Sequence, residues 1–331
     1  MNVLVTGGAG FIGSNLVRSL AAAGDTVRVL DDFSTGRPEN LDGVDGLVEV
    51  VEGDVRNQLQ VRKAVVGAEV VYHLAALPSV ARSVADPRAS HQVNVDGTLN
   101  VLLAAGEAGV RRLVYASSSS VYGDTAELPK HEGMPVSPRS PYAAAKLAGE
   151  ACCRAFACVF PLETVCLRFF NVFGPRQDPT SQYAAVVPRF VTRMLAGQPA
   201  EVVGDGRQTR DFTFVANAVE ACRLAAVAGP QAVGEAMNVG CGDRISVLDL
   251  AGLVNDLLGE SIEPVFTPAR PGDVRDSQAA IDKAGRLLGY RPLVPVRDGL
   301  AETVRWFASH AAEGPARGQD SLHPNKGAAA Q

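Results

Sequence analysis

Thr6-Gly7-Gly8-Ala9-Gly10-Phe11-Ile12-Gly13 is the stretch on which the fold turns. An apolar run, Asn2-Val3-Leu4-Val5, leads into it, and a helical pattern begins at Phe11. Gly7 suits a tight turn after a strand, Gly10 lets the backbone approach a pyrophosphate, and Gly13 lets the helix pack closely. The helix start then turns unpaired N–H groups and a partial positive charge toward the phosphates. Three glycines at this spacing also fit a plain turn. What favours a dinucleotide is their place between a strand and a helix.

Outward from that loop, short apolar strands alternate with helical stretches. Strands are expected at 2–6, 27–30, 48–51, 70–73, 113–116 and 164–169. Helices are expected at 11–23, 58–65, 94–108 and 141–158. Such alternation implies a mainly parallel sheet covered on both faces. Beyond Gly174 the texture changes, with frequent Pro and Gly and shorter, mixed elements. The expected fold is therefore α/β: a Rossmann-type, doubly wound parallel sheet over 1–173, with a smaller α+β substrate-binding domain mainly over 174–310. No Ser/Gly linker divides the halves, so segments near 211–240 are expected to rejoin the first. Residues 311–331, rich in Gly, Pro, Ala and Gln, read as a disordered tail.

Composition narrows the function. The 331 residues are 47% hydrophobic and 20% charged, with a net charge of −5, which argues against nucleic acid or an anionic membrane as partner. No apolar run reaches the ~18 residues of a membrane span. The strand at the N-terminus has no basic segment before it, so no signal peptide is expected and the cytoplasm is the expected location. The six cysteines form no Cys-x-x-Cys pair and no His stands at ligand spacing from them, so no metal site is expected.

Asp31 ends the second strand, 24 residues after Gly7. A carboxylate there accepts hydrogen bonds from ribose hydroxyls and repels the extra phosphate of NADP, so NAD is the expected cofactor. Arg37 lies close enough in sequence to keep NADP as an alternative. Asp54, in Gly53-Asp54-Val55 at the end of the third strand, is a candidate for the adenine amine, with Val55 beside it.

Ser140-Pro141-Tyr142-Ala143-Ala144-Ala145-Lys146 begins a helix, with Ser140 as N-cap and Pro141 in the first turn. Tyr142 and Lys146 then share one face. A free phenol titrates near pH 10, too high for a base at neutral pH. A neighbouring ammonium and a positive nicotinamide favour the phenolate, which can take a hydroxyl proton as hydride leaves. Alone, this pair is as well read as a solvated helix face; downstream of the glycine loop it reads as catalytic. Ser117-Ser118-Ser119-Ser120 follows the fifth strand at its C-terminal end, where open parallel sheets bind ligands. The plain alternative is a polar loop.

Together these residues resemble the extended short-chain dehydrogenase/reductase family, in its NAD-dependent epimerase/dehydratase group, and within that the UDP-glucose 4-epimerases. Further strings carry the resemblance: Asp31-Asp32-Phe33-Ser34-Thr35-Gly36, His73-Leu74-Ala75-Ala76, Val121-Tyr122-Gly123, Leu167 to Arg176, and Thr209-Arg210-Asp211-Phe212. It covers about 2–309. By position it implies Ser118, Tyr142 and Lys146 as catalytic residues. In the cofactor site it places Gly7, Gly10, Phe11, Ile12, Gly13, Asp31, Asp32, Ser34, Thr35, Gly36, Asp54, Val55, Leu74, Ala75, Ala76, Asn94 and Ser117, and again Tyr142 and Lys146, the latter on the nicotinamide ribose. Toward the substrate it places Ser118, Ser119, Ser120, Tyr142, Asn171, Ala185, Val186, Arg210, Arg270 and Asp273. Arginine suits the last group, because a planar fork binds phosphate oxygens bidentately.

The resemblance implies a UDP-hexose 4-epimerase and, as assembly, a homodimer. Dehydratases of the family carry Asp-Glu after the catalytic hydroxyl residue, and decarboxylases generally a Glu; here Ser119-Ser120 stand there. A reductase, which exchanges cofactor each turnover, stays open, as does an NAD-binding regulator that has lost its chemistry. Ser277 falls where sugar-pocket size is set in related epimerases, and a small residue there admits an N-acetyl group. The serines also suit a C6 carboxylate, so UDP-glucuronate is an alternative to UDP-glucose, UDP-galactose and their N-acetylated analogues. Pro78 departs from epimerases that carry lysine there.

Overall fold

Val3, Leu4 and Val5 are almost wholly removed from solvent, and strand β1 (Asn2–Thr6) that carries them lies in the middle of the sheet. The computed structural model describes residues 1–44, 46–181, 184–268 and 275–312, with side chains to 310. The expected disordered tail thus lies almost wholly outside the described residues. On either side of β1 run β2 (Thr26–Asp31) and β4 (Val70–His73), then β3 (Val48–Glu52) and β5 (Arg112–Ser118). β6 (Glu163–Phe169) and β7 (Ala236–Val239) complete a seven-stranded sheet of order β7-β6-β5-β4-β1-β2-β3, parallel throughout. Its inner strands are rich in Val and Leu and almost wholly buried, as a sheet covered on both faces requires, while the edge strand β3 stays partly exposed. The order reverses between β1 and β4, and open sheets of this kind bind ligands at that point, beyond the strands' C-terminal ends.

Helices α1 (Phe11–Ala22), α2 (Gln58–Val65), α3 (Gly97–Glu107) and α4 (Pro141–Val159) make the crossovers of the first half. β7 comes from 236–239, so the chain leaves the sheet after β6 and returns to its edge. α5 (Val186–Leu195) and three two-stranded pairings, two of which draw a strand from beyond β7, build a smaller lobe over the strand ends. The helix expected from residue 94 starts differently. Residues Gln92–Asp96 form a π-helical turn and the regular helix begins at Gly97. A Cβ on Gly97 would sit 2.7 Å from the Val55 side chain, so glycine lets the two segments touch where the helix begins. Such turns occur frequently at functional sites. This one carries Asn94, whose amide bonds both the N–H (3.0 Å) and the carbonyl (3.1 Å) of Leu77.

α4 lies unusually close to β5. A Cβ on Gly149 would be 2.2 Å from the Tyr115 hydroxyl, so only glycine allows this approach. The close packing brings Lys146, one turn earlier, to within 2.8 Å of the Ala116 carbonyl. All six cysteines are free, and Cys153, Cys166 and Cys222 sit in the core.

Candidate active site

A cavity of about 1120 Å³ runs along the C-terminal ends of the strands, from the glycine loop to Tyr142 and on to Arg210. Gly7 has φ +71°, and a Cβ there would meet the Ala75 backbone at 2.6 Å. On Gly13 a Cβ would meet the Gly7 carbonyl at 2.0 Å. Gly13 therefore packs against the loop itself more tightly than against the sheet. Gly10, the N-cap of α1, lines the cavity, and a Cβ there would meet only the Gly7 carbonyl, at 3.2 Å. This cradle suits a pyrophosphate: bare backbone, a helix N-terminus and no side chain in the way.

Asp31 ends β2 beside the cradle. Burial raises its carboxyl above the ordinary value, while hydrogen bonds from the N–H groups of Phe33 (2.9 Å) and Ala9 (2.8 Å) pull it down. Each oxygen holds one amide and keeps a lone pair for a ribose hydroxyl. Arg37 is committed elsewhere. Its guanidinium pairs with Asp178 at 2.9 Å and donates to Thr180 at 3.2 Å, so it closes one loop over another instead of waiting for a phosphate. Asp32, Ser34, Thr35, Gly36, Phe11, Ile12, Leu74, Ala75, Ala76 and Val55 also line the cavity.

Two expected cofactor residues stand back from it. The Asp54 carboxylate folds onto Arg56, with bonds of 2.5 to 3.0 Å that hold it below its ordinary value. Asn94 is buried and shapes the cavity through Leu77.

At the other end Ser140 caps α4 by accepting the Ala143 N–H at 3.1 Å, which sets the first turn carrying Tyr142. Tyr142, Lys146, Ser118, Ser119 and Ser120 line one wall. Burial pushes the Tyr142 phenol above its ordinary value, and a hydrogen bond with the Ser118 hydroxyl opposes it. Lys146 Nζ lies 5.9 Å from the centre of the Tyr142 ring. Burial lowers Lys146 to about 8, which leaves it charged at neutral pH. The Ser118 oxygen accepts from Ser120 Oγ at 2.9 Å and from the Ser120 N–H at 3.2 Å. Its own proton is thus free for a phenolate or a substrate oxygen.

Behind this wall lies a buried polar network that sequence reading missed. The Ser117 hydroxyl donates to Glu150 Oε1 at 2.5 Å. Arg168 grips both Glu150 oxygens, at 2.9 and 2.7 Å, and also donates to the Tyr122 hydroxyl at 2.9 Å. Tyr122 donates in turn to Asn238 at 2.7 Å. Burial opposes the Arg168 charge, but Glu150 outweighs it and holds the guanidinium above its ordinary value. Ser117 thus lines the cavity while its hydroxyl is engaged behind it. On the sheet side, His73 is neutral, lowered to about 3 by burial and by the Lys146 charge. The Thr98 hydroxyl donates to the Asn94 carbonyl, so His73 Nε2 carries the proton and Nδ1 accepts from Thr6 at 2.7 Å.

Asn171 and Arg210 line the cavity, and Arg210 Nη1 donates to the carbonyls of Thr209 and Arg275. A side cavity of about 270 Å³ opens between them, lined by Ala185, Val186, Phe190 and Phe212 among others. Arg270 and Asp273 lie outside the described residues. Among the described residues, four other than glycine have positive φ: Phe33 (55°), Ser79 (94°), Asn171 (34°) and Arg176 (68°). All four line the main cavity. Strained backbone concentrates at functional sites, and no residue-type pattern announces it. Lys130 and Gln177 line the cavity as well and carry no sequence signal.

Comparison with known proteins gives the same picture. Residues 3–240 match the model of the NAD dependent epimerase/dehydratase family. A UDP-glucose 4-epimerase of Mycolicibacterium smegmatis is 42% identical over 315 residues, 93% of this chain and 98% of the relative. Among solved structures, a UDP-glucose 4-epimerase with UDP-glucose from Thermotoga maritima is 37% identical, covering 94% of this chain and 100% of that one, with a TM-score of 0.89. A UDP-N-acetylglucosamine 4-epimerase from Methanobrevibacter ruminantium, in complex with UDP-N-acetylmuramic acid, is 36% identical over 93% of this chain and 98% of its own, also with a TM-score of 0.89. The family match spans most of the chain and begins at the strand that feeds the glycine cradle; the chain belongs to the NAD dependent epimerase/dehydratase family of extended short-chain dehydrogenases/reductases, and its cofactor is NAD.

Proposed function

We propose that the protein is a UDP-sugar 4-epimerase that works by transient oxidation at C4 of the hexose. One observation carries the choice among the family's reactions. Among the described residues lining the cavity, the carboxylates are Asp31, Asp32 and Asp178, all at the adenosine end. The wall around Tyr142 offers hydroxyls: Ser118, Ser119 and Ser120. Elimination across C5 and C6 needs an acid and a base there, whereas epimerisation needs proton transfer at one oxygen only.

Bound NAD supplies the hydride acceptor, the later hydride donor and a positive charge beside the phenol. The Tyr142 oxygen takes the proton of the C4 hydroxyl, while Ser118 donates a hydrogen bond to the same oxygen. Lys146, held by the Ala116 carbonyl, keeps a cation under the site. The C4 carbon loses its hydrogen as hydride and becomes a ketone. After the sugar turns about its diphosphate link, hydride returns to the opposite face and Tyr142 returns the proton. The nucleotide must stay clamped meanwhile, which suits Arg210 beside the side cavity.

For the sugar, Ser277 supports a roomy pocket: it lines the cavity with a short side chain. UDP-glucose and its N-acetylated analogue are the first candidates and UDP-glucuronate the next. NMR of the purified protein with each of these and with dTDP-glucose tests the reading. Interconversion of the 4-epimers of one UDP-sugar is expected. A 4-keto-6-deoxy product instead would show a dehydratase.

A further inference from the structure

Lys130 is 2% exposed, yet it lines the substrate cavity. Its backbone is pinned on both sides, by Lys130 N–H to the Gln278 carbonyl and Ala280 N–H to the Lys130 carbonyl, each 2.8 Å. Lys130 lines the same cavity as Ser277 and the serine wall. Among the described residues its ammonium has one hydrogen-bond acceptor, the Gly123 carbonyl at 3.1 Å. An ammonium has three donors, and leaving two unmet in a buried position is costly.

The charges around it sharpen the point. Burial lowers its affinity for the proton, Asp124 restores part of it, and Arg210 lowers it again. Asp124 is engaged with Arg139 at 3.2 Å. Two cations, Lys130 and Arg210, thus face the same end of the cavity, while its lining carboxylates stand at the other end. Like charges held together in a low-dielectric wall are stabilised by an anion placed between them.

We propose that Lys130 is a further substrate-binding residue, whose ammonium takes an anionic oxygen of the substrate at the wall shared with Ser120 and Ser277. This rests on the nucleotide-sugar reading above. The oxygen has two possible sources, a carboxylate on the sugar or the diphosphate next to it, and binding separates them.

The test uses calorimetry on the NAD-loaded full chain, with UDP, UDP-glucose and UDP-glucuronate as probes. Lys130→Met and Lys130→Gln are each expected to weaken binding by about 10- to 100-fold, the effect of losing a charged hydrogen bond. Lys130→Arg is expected to recover most of it. A loss confined to UDP-glucuronate assigns the sugar carboxylate; an equal loss for all three assigns the diphosphate. Unchanged affinity for all three probes in both neutral variants would overturn the assignment. A wild-type chain that binds none of them defeats the nucleotide-sugar reading itself, which is a distinct result.

Discussion

The two ends of the cavity recognise by different means. At the adenosine end, backbone leads: a glycine cradle, a helix N-terminus, and Asp31 held by two amides. At the reacting end, side chains lead, and each is fixed by something buried behind it. Lys146 is held by a strand carbonyl, and Ser117 by Glu150, which Arg168 grips in turn. The first kind of site is rigid because glycine and hydrogen-bonded backbone leave it no freedom. The second is rigid only while its polar network is complete. The two ends should therefore fail separately, and that is open to test.

The largest expected effect is at Tyr142. Tyr142→Phe removes one oxygen from the reacting end and touches nothing at the cradle. Turnover should fall by about 10²- to 10⁴-fold, the usual worth of general acid–base catalysis. NAD extracted per chain should be unchanged. Undiminished epimerisation would remove Tyr142 from the mechanism; parallel loss of NAD would show that the two ends are coupled.

Next comes the network itself. Glu150→Ala leaves Arg168 charged, buried and without its carboxylate. Breaking such a pair from one side typically costs about 3–5 kcal/mol. Urea denaturation should show a loss of that order, and turnover should fall with it because Ser117 loses its acceptor beside Ser118. Removing both partners, as in Glu150→Leu with Arg168→Met, should restore much of the stability. If Glu150→Ala unfolds no more easily than wild type, the network is dispensable and the contrast between the two ends fails.

This difference also explains what could be read from the chain. The cradle was legible because strand, turn and helix N-terminus are consecutive, so Gly7, Gly10 and Gly13 announce each other. Tyr142 and Lys146 were legible because one helix turn joins them. Glu150 and Arg168 are 18 residues apart and meet only because α4 packs on the strand that follows it. Lys130 finds its place through a bridge to Ala279, a pairing no local pattern predicts. The pairing of Asp54 with Arg56, two positions on, also carries no mark in the residue pattern. The positive φ at Phe33 and Arg176 falls in segments lining the cavity, which the Arg37–Asp178 pair ties together, and residue type gives no sign of it.

The smallest effect expected concerns the Lys146 charge. In the folded chain burial brings Lys146 from its ordinary 10.5 to about 8. Below about 8 both folded and unfolded chains hold this proton, and it contributes no pH dependence. Between about 8 and 10.5 the unfolded chain binds more protons than the folded one. Stability from this group must therefore rise with pH across that window, by up to roughly 1.4 kcal/mol per pH unit. Activity should move the other way, since the cation under Tyr142 is lost as pH passes about 8. Urea midpoints of wild type and Lys146→Met, compared from pH 7 to 10, isolate the first trend, and the alkaline limb of kcat reports the second. Opposite slopes would identify a charge kept at the reacting end against the preference of the fold. Parallel slopes would mean that Lys146 is no more strained than the backbone cradle at the other end.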